Sequence, residues 1–511
     1  MAEKQNNIVL VYPKSGVDFG ASVAPPFSLL TIAAPIHQQG IKVKIIDQRV
    51  DKEWRTRLKE ALRNKPICCG ISTMTGMQIH FALEAAKLIR AETKGNTPIV
   101  WGGVHPTLLP EQTLKNSYVD IVCVGEGEET FSDLVNVLKS YKPLFAVKGI
   151  AFLDKEKFVF TGDRPLVDIE KMLPTPWDLI NAESYIHPHP FISESKRVLD
   201  IGQSSRGCPY KCTFCYHSAG SQHRWRAMSA QKTLSMITED VNRFKLDGIW
   251  LRDDEFFLDI KRVQEICEGM IKLNIPLYTS GARVNDILRA SPKQLMLIKQ
   301  SGMSIMRFGA ESGSNRILKY LQKGQTVEQI LEVNQKCKDA GIKPIYSLMC
   351  GIPTETFKEV NQTLDLFFRL QEENPEASLT SISQFLSFPG TVIHNTALEM
   401  GLKPPRRLED WAGWSNTDTD FNGEQRPWLS KRERVWLGNL SYLSNIAYSG
   451  ASIFSTIKNK PMSGIINFGL KLLSNYFKWR LKNKSYHFVP EVFLVLWVYR
   501  LYTKLLDKKS T

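Results

Sequence analysis

Three cysteines within ten residues carry the clearest chemical signal in the chain. Cys208, Cys212 and Cys215 are spaced C-x3-C-x2-C within the segment GCPYKCTFCY. This spacing lets one short loop direct three thiolates at a single inorganic centre. A four-iron cluster normally takes four thiolate ligands, so three would leave one iron open to another ligand. The segment therefore predicts an iron–sulfur cluster with one exchangeable site.

Zinc binding and chance clustering are the alternatives for these cysteines. A structural zinc site would need a fourth Cys or His in register, and His217 lies too close to Cys215 for the usual paired spacing. The six other cysteines have no partner at ligand spacing, which favours buried thiols for all of them. They are Cys68, Cys69, Cys123, Cys267, Cys337 and Cys350.

The cysteine triplet, with Phe214 before the third cysteine, resembles that of the radical S-adenosylmethionine (SAM) superfamily. The resemblance implies that Cys208, Cys212 and Cys215 hold a [4Fe–4S] cluster whose fourth iron is chelated by SAM. It also implies reductive cleavage of SAM to a 5′-deoxyadenosyl radical. Phe214 would pack its ring beside the cofactor, with a plain core aromatic as the alternative.

Composition bounds the class of protein. A chain of 511 residues suits two or three domains, and 43% hydrophobic residues are typical of a globular protein. Nine cysteines without an apolar leader predict a reducing, cytoplasmic setting.

The net charge of +14 is concentrated near the C-terminus, where residues 426–511 carry 15 Lys and Arg but 3 Asp and Glu. Such a stripe can contact nucleic acid or an anionic membrane. Apolar and aromatic residues alternate with these charges, and no recognised RNA-binding module accompanies them. The pattern therefore favours peripheral attachment to the inner face of the membrane over nucleic acid.

Residues 1–145 alternate short apolar runs with helical periodicity, which predicts a doubly wound parallel sheet. Such sheets bind ligands beyond the carboxyl ends of their strands. Three predicted strand ends carry small residues, hydroxyls or glycines that leave room for a bulky ligand. They are the segments 72–76, 102–107 and 125–129. In this order, upstream of the cysteines, they resemble the Rossmann-like cobalamin-binding domain of cobalamin-dependent radical SAM enzymes.

That resemblance implies a role for each strand end. Ser72, Thr75 and Gly76 would contact the nucleotide tail of cobalamin. Gly102 and Gly103 would make room for that tail, and the loop with Gly125 and Glu126 would border the corrin.

One motif of cobalamin proteins is missing. The D-x-H-x-x-G motif that supplies a histidine beneath cobalt in mutase-type proteins is absent, since residues 18–23 read DFGASV. His37 and His105 sit elsewhere, and a helix-surface and a loop histidine are the expected readings. We therefore expect no histidine beneath cobalt and no mutase-type chemistry.

Residues 146–195 read as a connector stiffened by prolines, with a hairpin around Val159 and Phe160. From 196 to 400 the alternation of strands and helices resumes six times. This pattern fits the partial (β/α)6 TIM-type barrel of the superfamily, whose active face lies at the carboxyl ends of the strands.

The resemblance also places SAM at those ends. Asp253 and Asp254 would bind its amino group, although an acidic turn serves helix capping equally often. Arg283 ends the third strand. Glu311, followed by Ser312, would bind the ribose hydroxyls, and the turn of Gly351, Ile352 and Pro353 would contact adenine.

Residues 401–511 predict a mostly helical, basic and aromatic region. Its longest apolar run, 492–499, is too short to cross a bilayer, which takes about 20 residues. An interfacial helix, a lid over an apolar pocket and an amphipathic helix docked on the barrel are the remaining interpretations.

The sequence thus predicts a cobalamin-dependent radical SAM enzyme that modifies an unactivated carbon of a hydrophobic or amphiphilic substrate. Methyl transfer is the preferred reaction. Within the group the chain most resembles the branch of the anaerobic magnesium-protoporphyrin monomethyl ester cyclase, so cyclisation or hydroxylation without methyl transfer is the alternative. A redox or cobalamin sensor and an RNA-modifying enzyme rank lower. The family resemblance implies a reductant protein such as flavodoxin or ferredoxin as partner.

Overall fold

The computed structural model describes residues 6–15, 23–192, 194–217, 222–279, 281–414, 424–453 and 463–491. The five N-terminal strands are short, aliphatic and buried, as parallel strands covered on both faces must be. They are β1 (Asn7–Tyr12), β2 (Lys42–Asp47), β3 (Cys69–Ser72), β4 (Ile99–Gly102) and β5 (Ile121–Cys123). They run parallel in the order β2-β1-β3-β4-β5. The chain therefore reverses direction across the sheet between β1 and β3, which is where such sheets bind ligands.

Helices cover both faces of this sheet. They are α1 (Phe27–Gln38), α2 (Trp54–Arg63), α3 (Gln78–Glu92), α4 (Val104–Leu108), α5 (Pro110–Leu114) and α6 (Glu128–Lys139). The apolar residues of α1 and α6 belong to one core layer, and those of α2 and α3 to another. The predicted doubly wound sheet is confirmed.

A hairpin extends the sheet beyond residue 145. Strands β6 (Ile150–Asp154) and β7 (Lys157–Phe160) add antiparallel to the edge at β5. The described residues between this hairpin and the next strand form short 3-10 turns, because several prolines there disfavour a continuous helix.

The second half of the chain holds six parallel strands in two sheets of three. The strands of this half, including two short antiparallel ones, are β8 (Val198–Asp200), β9 (Ser205–Arg206), β10 (Arg226–Ala227), β11 (Gly248–Leu251), β12 (Leu277–Thr279), β13 (Ile305–Glu311), β14 (Lys343–Cys350) and β15 (Ser378–Gln384). The sheets have the orders β12-β11-β8 and β13-β14-β15, and one bridge from Ala282 to Phe308 joins them. The barrel is therefore partial, as predicted, and stays open between β8 and β15.

Amphipathic helices pack on the outside of this half-barrel. They are α7 (Ala230–Phe244), α8 (Ile260–Leu273), α9 (Val284–Arg289), α10 (Pro292–Gln300), α11 (Asn315–Tyr320), α12 (Val327–Asp339), α13 (Phe357–Glu373) and α14 (Val392–Glu399). Side-chain caps define several of their starts, for example the capping boxes at Thr326 and Thr356. Their buried faces share one continuous core with the strands.

The C-terminal region has two described helices, α15 (Lys431–Ile453) and α16 (Ser463–Lys482). Helix α15 docks on the open edge at β15, where Ser444 Oγ accepts from Ile382 N at 2.9 Å and Ser441 Oγ donates to Ile382 O at 2.8 Å. The interpretation as a helix docked on the barrel thus holds for α15. Among the described helices, none combines the length and apolar character that a membrane span requires. The apolar run 492–499 lies outside the described residues.

Candidate active site between the two sheets

The cysteine loop is held between two short strands. Strands β9 and β10 pair antiparallel, and the cysteine segment runs between them. Cys215 N donates to Cys212 O at 3.1 Å, which closes a tight turn. Thr213 N donates to Leu321 O at 2.9 Å and anchors the loop to the barrel. The loop is therefore fixed at both its base and its tip.

The chemistry of this donor set fits an iron–sulfur cluster. All three thiols are free of disulfides, and burial raises the pKa of Cys208 to about 12. A buried thiol with such a pKa ionises when a cation replaces its proton. Among the described residues, no three Cys, His, Asp or Glu side chains lie close enough to share one metal ion. Three thiols in one loop are the donor set that an iron–sulfur cluster with one open iron takes.

Arg283 lies directly against the cysteine loop. Its Nη1 donates to Cys212 Sγ at 3.3 Å, and its guanidinium lies 3.7 Å from the centre of the Tyr210 ring. Its Nη2 also donates to the carbonyl of Lys323. Tyr210 in turn donates to Asp286 at 2.6 Å. A buried positive charge therefore faces one of the three thiols.

The two adjacent aspartates after β11 have different surroundings. Asp253 is buried and accepts from Ser204 N and Ser204 Oγ, both at 2.6 Å, and from Ser205 Oγ at 2.7 Å. Its carboxylate therefore organises the chain that enters the cysteine loop. Asp254 accepts from Gly207 N at 2.8 Å, lies 3.3 Å from His217 Nε2 and lines the cavity described below. Of the two predicted carboxylates, only Asp254 faces open space.

Glu311 forms a buried ion pair with Lys323, with 2.6 Å between Oε1 and Nζ. Glu311 has a left-handed backbone, with φ +64°. A Cβ at Gly309 would lie 2.3 Å from Glu311 Oε1, so only glycine leaves room for the pair. Lys323 was not predicted from the sequence, where its one signal is a positive charge before a glycine. Ser312 points elsewhere, with its Oγ 3.2 Å from Thr363 Oγ1.

The predicted adenine turn follows β14. Gly351 has φ +77°, and the amides of Gly351 and Ile352 donate to Glu355 at 2.7 and 3.2 Å. The buried Ile352, followed by the likewise buried Pro353, joins a small apolar cluster that Phe214 packs against. The structure thereby brings the aromatic of the cysteine loop to the predicted adenine turn.

A cavity of about 1070 Å³ separates the carboxyl edge of the N-terminal sheet from the cysteine loop. The sheet contributes Ser72, Gly102, Gly103, Gly125 and Glu126, and the opposite wall contributes Gly207, Tyr216, His217 and Asp254. A Cβ at Gly103 would lie 2.6 Å from the carbonyl oxygen of Thr73. Five of the predicted cobalamin contacts therefore line one wall of a cavity large enough for a bulky cofactor.

Two other predicted contacts lie away from this cavity. Thr75 Oγ1 is 3.0 Å from Nδ1 of the buried His105, and Gly76 faces the carbonyl of Trp414. Burial lowers the pKa of His105 to about 4. His37 lies on α1 and contacts Asp178 at 3.0 Å. Neither histidine lines the cavity, and residues 18–22 lie outside the described part of the chain.

Ion pairs join the two walls of the cavity. Glu126 binds Arg226 at 2.6 Å, and Glu128 binds Arg206 at 2.7 Å. Burial opposes ionisation of Glu126, but the hydrogen bonds from Arg226 and from Val167 N leave its pKa below the ordinary value. Glu126 is therefore ionised, and its ion pair connects the N-terminal sheet to the strands on either side of the cysteine loop.

Both halves of the chain match known family models. Residues 203–367 match a model described as the radical SAM superfamily, and residues 20–135 match a B12 binding domain. The first match contains the cysteine loop, Asp254, Arg283, Glu311 and Gly351. The second contains the strand ends that line the cavity.

Two curated relatives cover most of the chain. An uncharacterized methyltransferase of Pyrococcus horikoshii is 28% identical over 75% of this chain and 80% of its own length. The anaerobic magnesium-protoporphyrin IX monomethyl ester cyclase of Cereibacter sphaeroides is 28% identical over 75% of this chain and 62% of its own length. The chain thus spans less than two thirds of that cyclase.

A solved structure shows the same fold. The cobalamin-dependent SAM radical enzyme OxsB, with aqua-cobalamin and SAM bound, aligns with a TM-score of 0.72 at 20% identity. The alignment covers 98% of this chain and 75% of that one. The order of a doubly wound sheet, a partial barrel and a C-terminal region is therefore shared along almost the whole chain.

Proposed function

Because the chain belongs to the cobalamin-dependent radical SAM family, we propose that it transfers a methyl group to an unactivated carbon of a hydrophobic or amphiphilic substrate. The single cavity shared by the N-terminal sheet and the cysteine loop carries this proposal. When bound, the cofactors supply a 5′-deoxyadenosyl radical from SAM at the [4Fe–4S] cluster and a methyl group from cobalamin. A shared cavity lets both reach one substrate carbon.

The side chains of the site would place these groups. Cys208, Cys212 and Cys215 would hold the cluster, and Arg283 would offset the negative charge on the Cys212 side. Asp254 would bind the ammonium of SAM; its carboxylate facing the cavity beside the loop supports this role. The pair of Glu311 and Lys323 offers a carboxylate to hydroxyls and an ammonium to a carboxylate.

The preference for methyl transfer has support among the relatives. The archaeal relative that covers three quarters of the chain carries the name of a methyltransferase. The cyclase relative supports the alternative, an oxidative cyclisation or hydroxylation without methyl transfer.

Product stoichiometry separates the two reactions. Anaerobic turnover with reductant and cell extract should yield S-adenosylhomocysteine and 5′-deoxyadenosine in comparable amounts, with a product heavier by one methyl group. A Cys212→Ala variant, which loses a cluster ligand, is the matched control and should yield no 5′-deoxyadenosine. If wild-type turnover gives 5′-deoxyadenosine without S-adenosylhomocysteine, the alternative reaction replaces methyl transfer.

Radical SAM enzymes need an electron donor, and we propose a flavodoxin or ferredoxin for this chain. Reduced flavodoxin should support 5′-deoxyadenosine formation. Failure of both proteins, in a preparation that dithionite activates, would reject this partner class.

We also propose that the C-terminal region brings the enzyme to an anionic membrane or to its amphiphilic substrate. Leu472, Tyr476, Trp479 and Phe488 are exposed, with Phe488 at 77% exposure, beside Lys471, Lys478 and Lys482. Each cation near an anionic surface contributes about 1 kcal/mol, and inserted aromatic rings add to this. Vesicles containing phosphatidylserine should co-sediment the wild type at low salt but not a Trp479→Ser/Phe488→Ser variant. Equal sedimentation, or none for either protein, would reject membrane attachment.

A further inference from the structure

One face of the half-barrel strands packs against the outer helices, and the other face is directed into the barrel interior. On β13, Met306, Phe308 and Ala310 are buried in the core beneath the helices, and Arg307 between them is half-buried. On β14 and β15 the half-buried residues include Ser347 and Thr380, whose hydroxyls lie 3.3 Å apart. Since side chains alternate along a strand, these residues face the barrel interior. The barrel interior is therefore polar near the middle of strands β13, β14 and β15.

Arg307 lies in this interior without a carboxylate partner among the described residues. Its guanidinium carbon is 5.9 Å from the centre of the Phe191 ring. It is also close enough to Tyr278 to oppose the rise that burial causes in the pKa of that hydroxyl. Asp200, at the end of β8, accepts from Arg252 Nε at 2.5 Å and from Gly202 N at 2.9 Å. Among the described residues, no carboxylate forms an ion pair with Arg307.

Two further donors are buried beside Arg307. The Trp250 indole nitrogen has no hydrogen-bond partner within the described part of the chain, and the Tyr278 hydroxyl has none except Arg307, from which it can only accept, so its own proton remains available. Tyr278 is 2% exposed, and its ring lies 5.9 Å from that of Trp250. Buried donors without partners are costly, so native sites rarely leave them unless a ligand or ordered water completes them. Both groups can donate to a ligand oxygen.

The electrostatics of the interior favour an anion. Burial, together with the nearby His187, Arg252 and Arg307, lowers the pKa of His189 to about 4. His189 is therefore neutral near pH 7. Its ring packs on Trp250 at 4.7 Å and on Tyr278 at 5.1 Å. The net charge facing this space is positive.

The connector closes the base of this space. His189 stands between Pro188 and Pro190, and the Phe191 ring packs 5.1 Å from that of Tyr278. The other end opens toward the predicted SAM contacts. Glu311 lies four positions after Arg307 on β13, which is about 13 Å at the rise of an extended strand. A ligand held at Arg307 could therefore extend toward the cofactors.

We propose that the barrel interior binds an anionic group of the substrate, a carboxylate or a phosphate, through Arg307, Tyr278 and Trp250. The substrate would be an amphiphile whose reacting carbon lies within about 13 Å of that anionic group, which is the separation of Arg307 from Glu311 along an extended strand. This inference rests on the proposed function, since it identifies the substrate class of the same site. Arg307 and the two neutral donors supply the charge and hydrogen bonds that such oxygens require.

The probes are octanoate, octyl phosphate and octanol, which share one chain and differ in the head group. Isothermal titration calorimetry of the anaerobic, cluster-loaded full chain should show at least one of the two anions binding about tenfold or more tightly than octanol. Arg307→Gln should abolish that preference, and Arg307→Lys should keep part of it. Arg369→Gln, an exposed arginine on the outer helix α13, is the matched control and should keep it in full. Which anion binds better distinguishes carboxylate from phosphate.

The inference is overturned if octanol binds as tightly as both anions, or if Arg307→Gln keeps the preference. The basic C-terminal region also attracts anions. The test is therefore the difference in anion affinity between the wild type and Arg307→Gln. If Arg307→Gln fails to fold, as judged by thermal melting and iron content, Tyr278→Phe replaces it. That variant should weaken the preferred anion about threefold and leave octanol unchanged, and unchanged anion binding would overturn the inference. The product ratio is independent of these measurements, so anion binding without S-adenosylhomocysteine would refute methyl transfer alone.

Discussion

The carboxyl edge of the N-terminal sheet and the carboxyl edge of the half-barrel are built from different kinds of residues. The N-terminal sheet ends in glycines and small hydroxyl residues, and a Cβ at Gly103 would strike the backbone of Thr73. The half-barrel ends in buried charges, such as the pair of Glu311 and Lys323 and the contact of Arg283 with Cys212. The edge of the N-terminal sheet therefore leaves space for a ligand, and the edge of the half-barrel presents charged side chains.

This difference matches what each cofactor requires. Cobalamin is bulky, so its binding edge must keep side chains out. SAM carries an ammonium, a carboxylate and a ribose, and binds beside an anionic cluster, so its edge must present fixed charges in low dielectric. Changes to the two edges should therefore separate cobalamin binding from cluster and SAM binding.

The largest expected effect follows from removing the cluster ligands. A Cys208→Ala/Cys212→Ala/Cys215→Ala variant should lose nearly all of about four irons per chain. It should still bind cobalamin, because none of the three cysteines belongs to the N-terminal sheet or to the strand ends that line the cavity. Iron assay and cobalamin absorbance measure the two. Retention of the iron would refute the cluster assignment, and joint loss of cobalamin would refute the separation of the edges.

The next effect concerns the buried ion pair. Lys323→Met leaves the Glu311 carboxylate buried without its partner, which should lower the free energy of unfolding by about 3–5 kcal/mol. The double variant Glu311→Gln/Lys323→Met should recover part of this loss. Both variants should weaken SAM binding in equilibrium dialysis and leave cobalamin binding unchanged. A Lys323→Met chain as stable as the wild type would contradict the burial argument.

A smaller loss is expected at the edge that offers space. Gly103 has φ +96° and ψ −167°, a conformation that is essentially confined to glycine. Gly103→Ala should reduce the free energy of unfolding by about 2 kcal/mol and weaken cobalamin binding, while the iron content is kept. Gly40→Ala is the matched control, since φ is also positive there, no atom lies within 4 Å of the new Cβ, and Gly40 does not line the cavity. Equal losses in both variants would remove steric exclusion as the explanation.

The smallest expected effect concerns the ion pairs of Glu126, which connect the two edges of the cavity. The pKa of Glu126 lies below its ordinary value of 4.5, so its ion pairs stabilise the fold above pH 4.5. That contribution is lost as the pH falls through the lowered value. Glu126→Gln should therefore cost about 1 kcal/mol at pH 7 and progressively less toward pH 3, as thermal unfolding would show. Glu129→Gln, in the first turn of α6 and 61% exposed in its side chain, should show a smaller pH-dependent difference. A constant difference for Glu126→Gln would contradict this.

Adjacent residues show where prediction from the sequence ends. Asp253 and Asp254 looked equivalent as an acidic turn, yet one supports the cysteine loop from below and the other faces the cavity. The side chains of successive residues in an extended segment point to opposite sides, so which one reaches the site depends on the register of the strand. Thr75, a predicted cobalamin contact, lies outside the cavity lining, with its Oγ1 3.0 Å from Nδ1 of His105.

Lys323 and Arg307 could not be found from the sequence at all. Each is a single lysine or arginine in a chain that has 66 such residues. Their importance comes from burial and from neighbours that are distant in sequence, such as Tyr278 for Arg307.

The sequence by itself determined the alternation of strands and helices and the cysteine triplet, because both depend on short-range spacing. Periodic burial sets the elements, and three thiols in one loop need no distant partner to be recognised. Only the tertiary structure decided which strand-end residues share one cavity, which charges pair in the interior, and which donors are left without a partner. Those properties depend on how the two sheets meet, and positions that meet there can lie a hundred or more residues apart, as do Glu126 and Arg226.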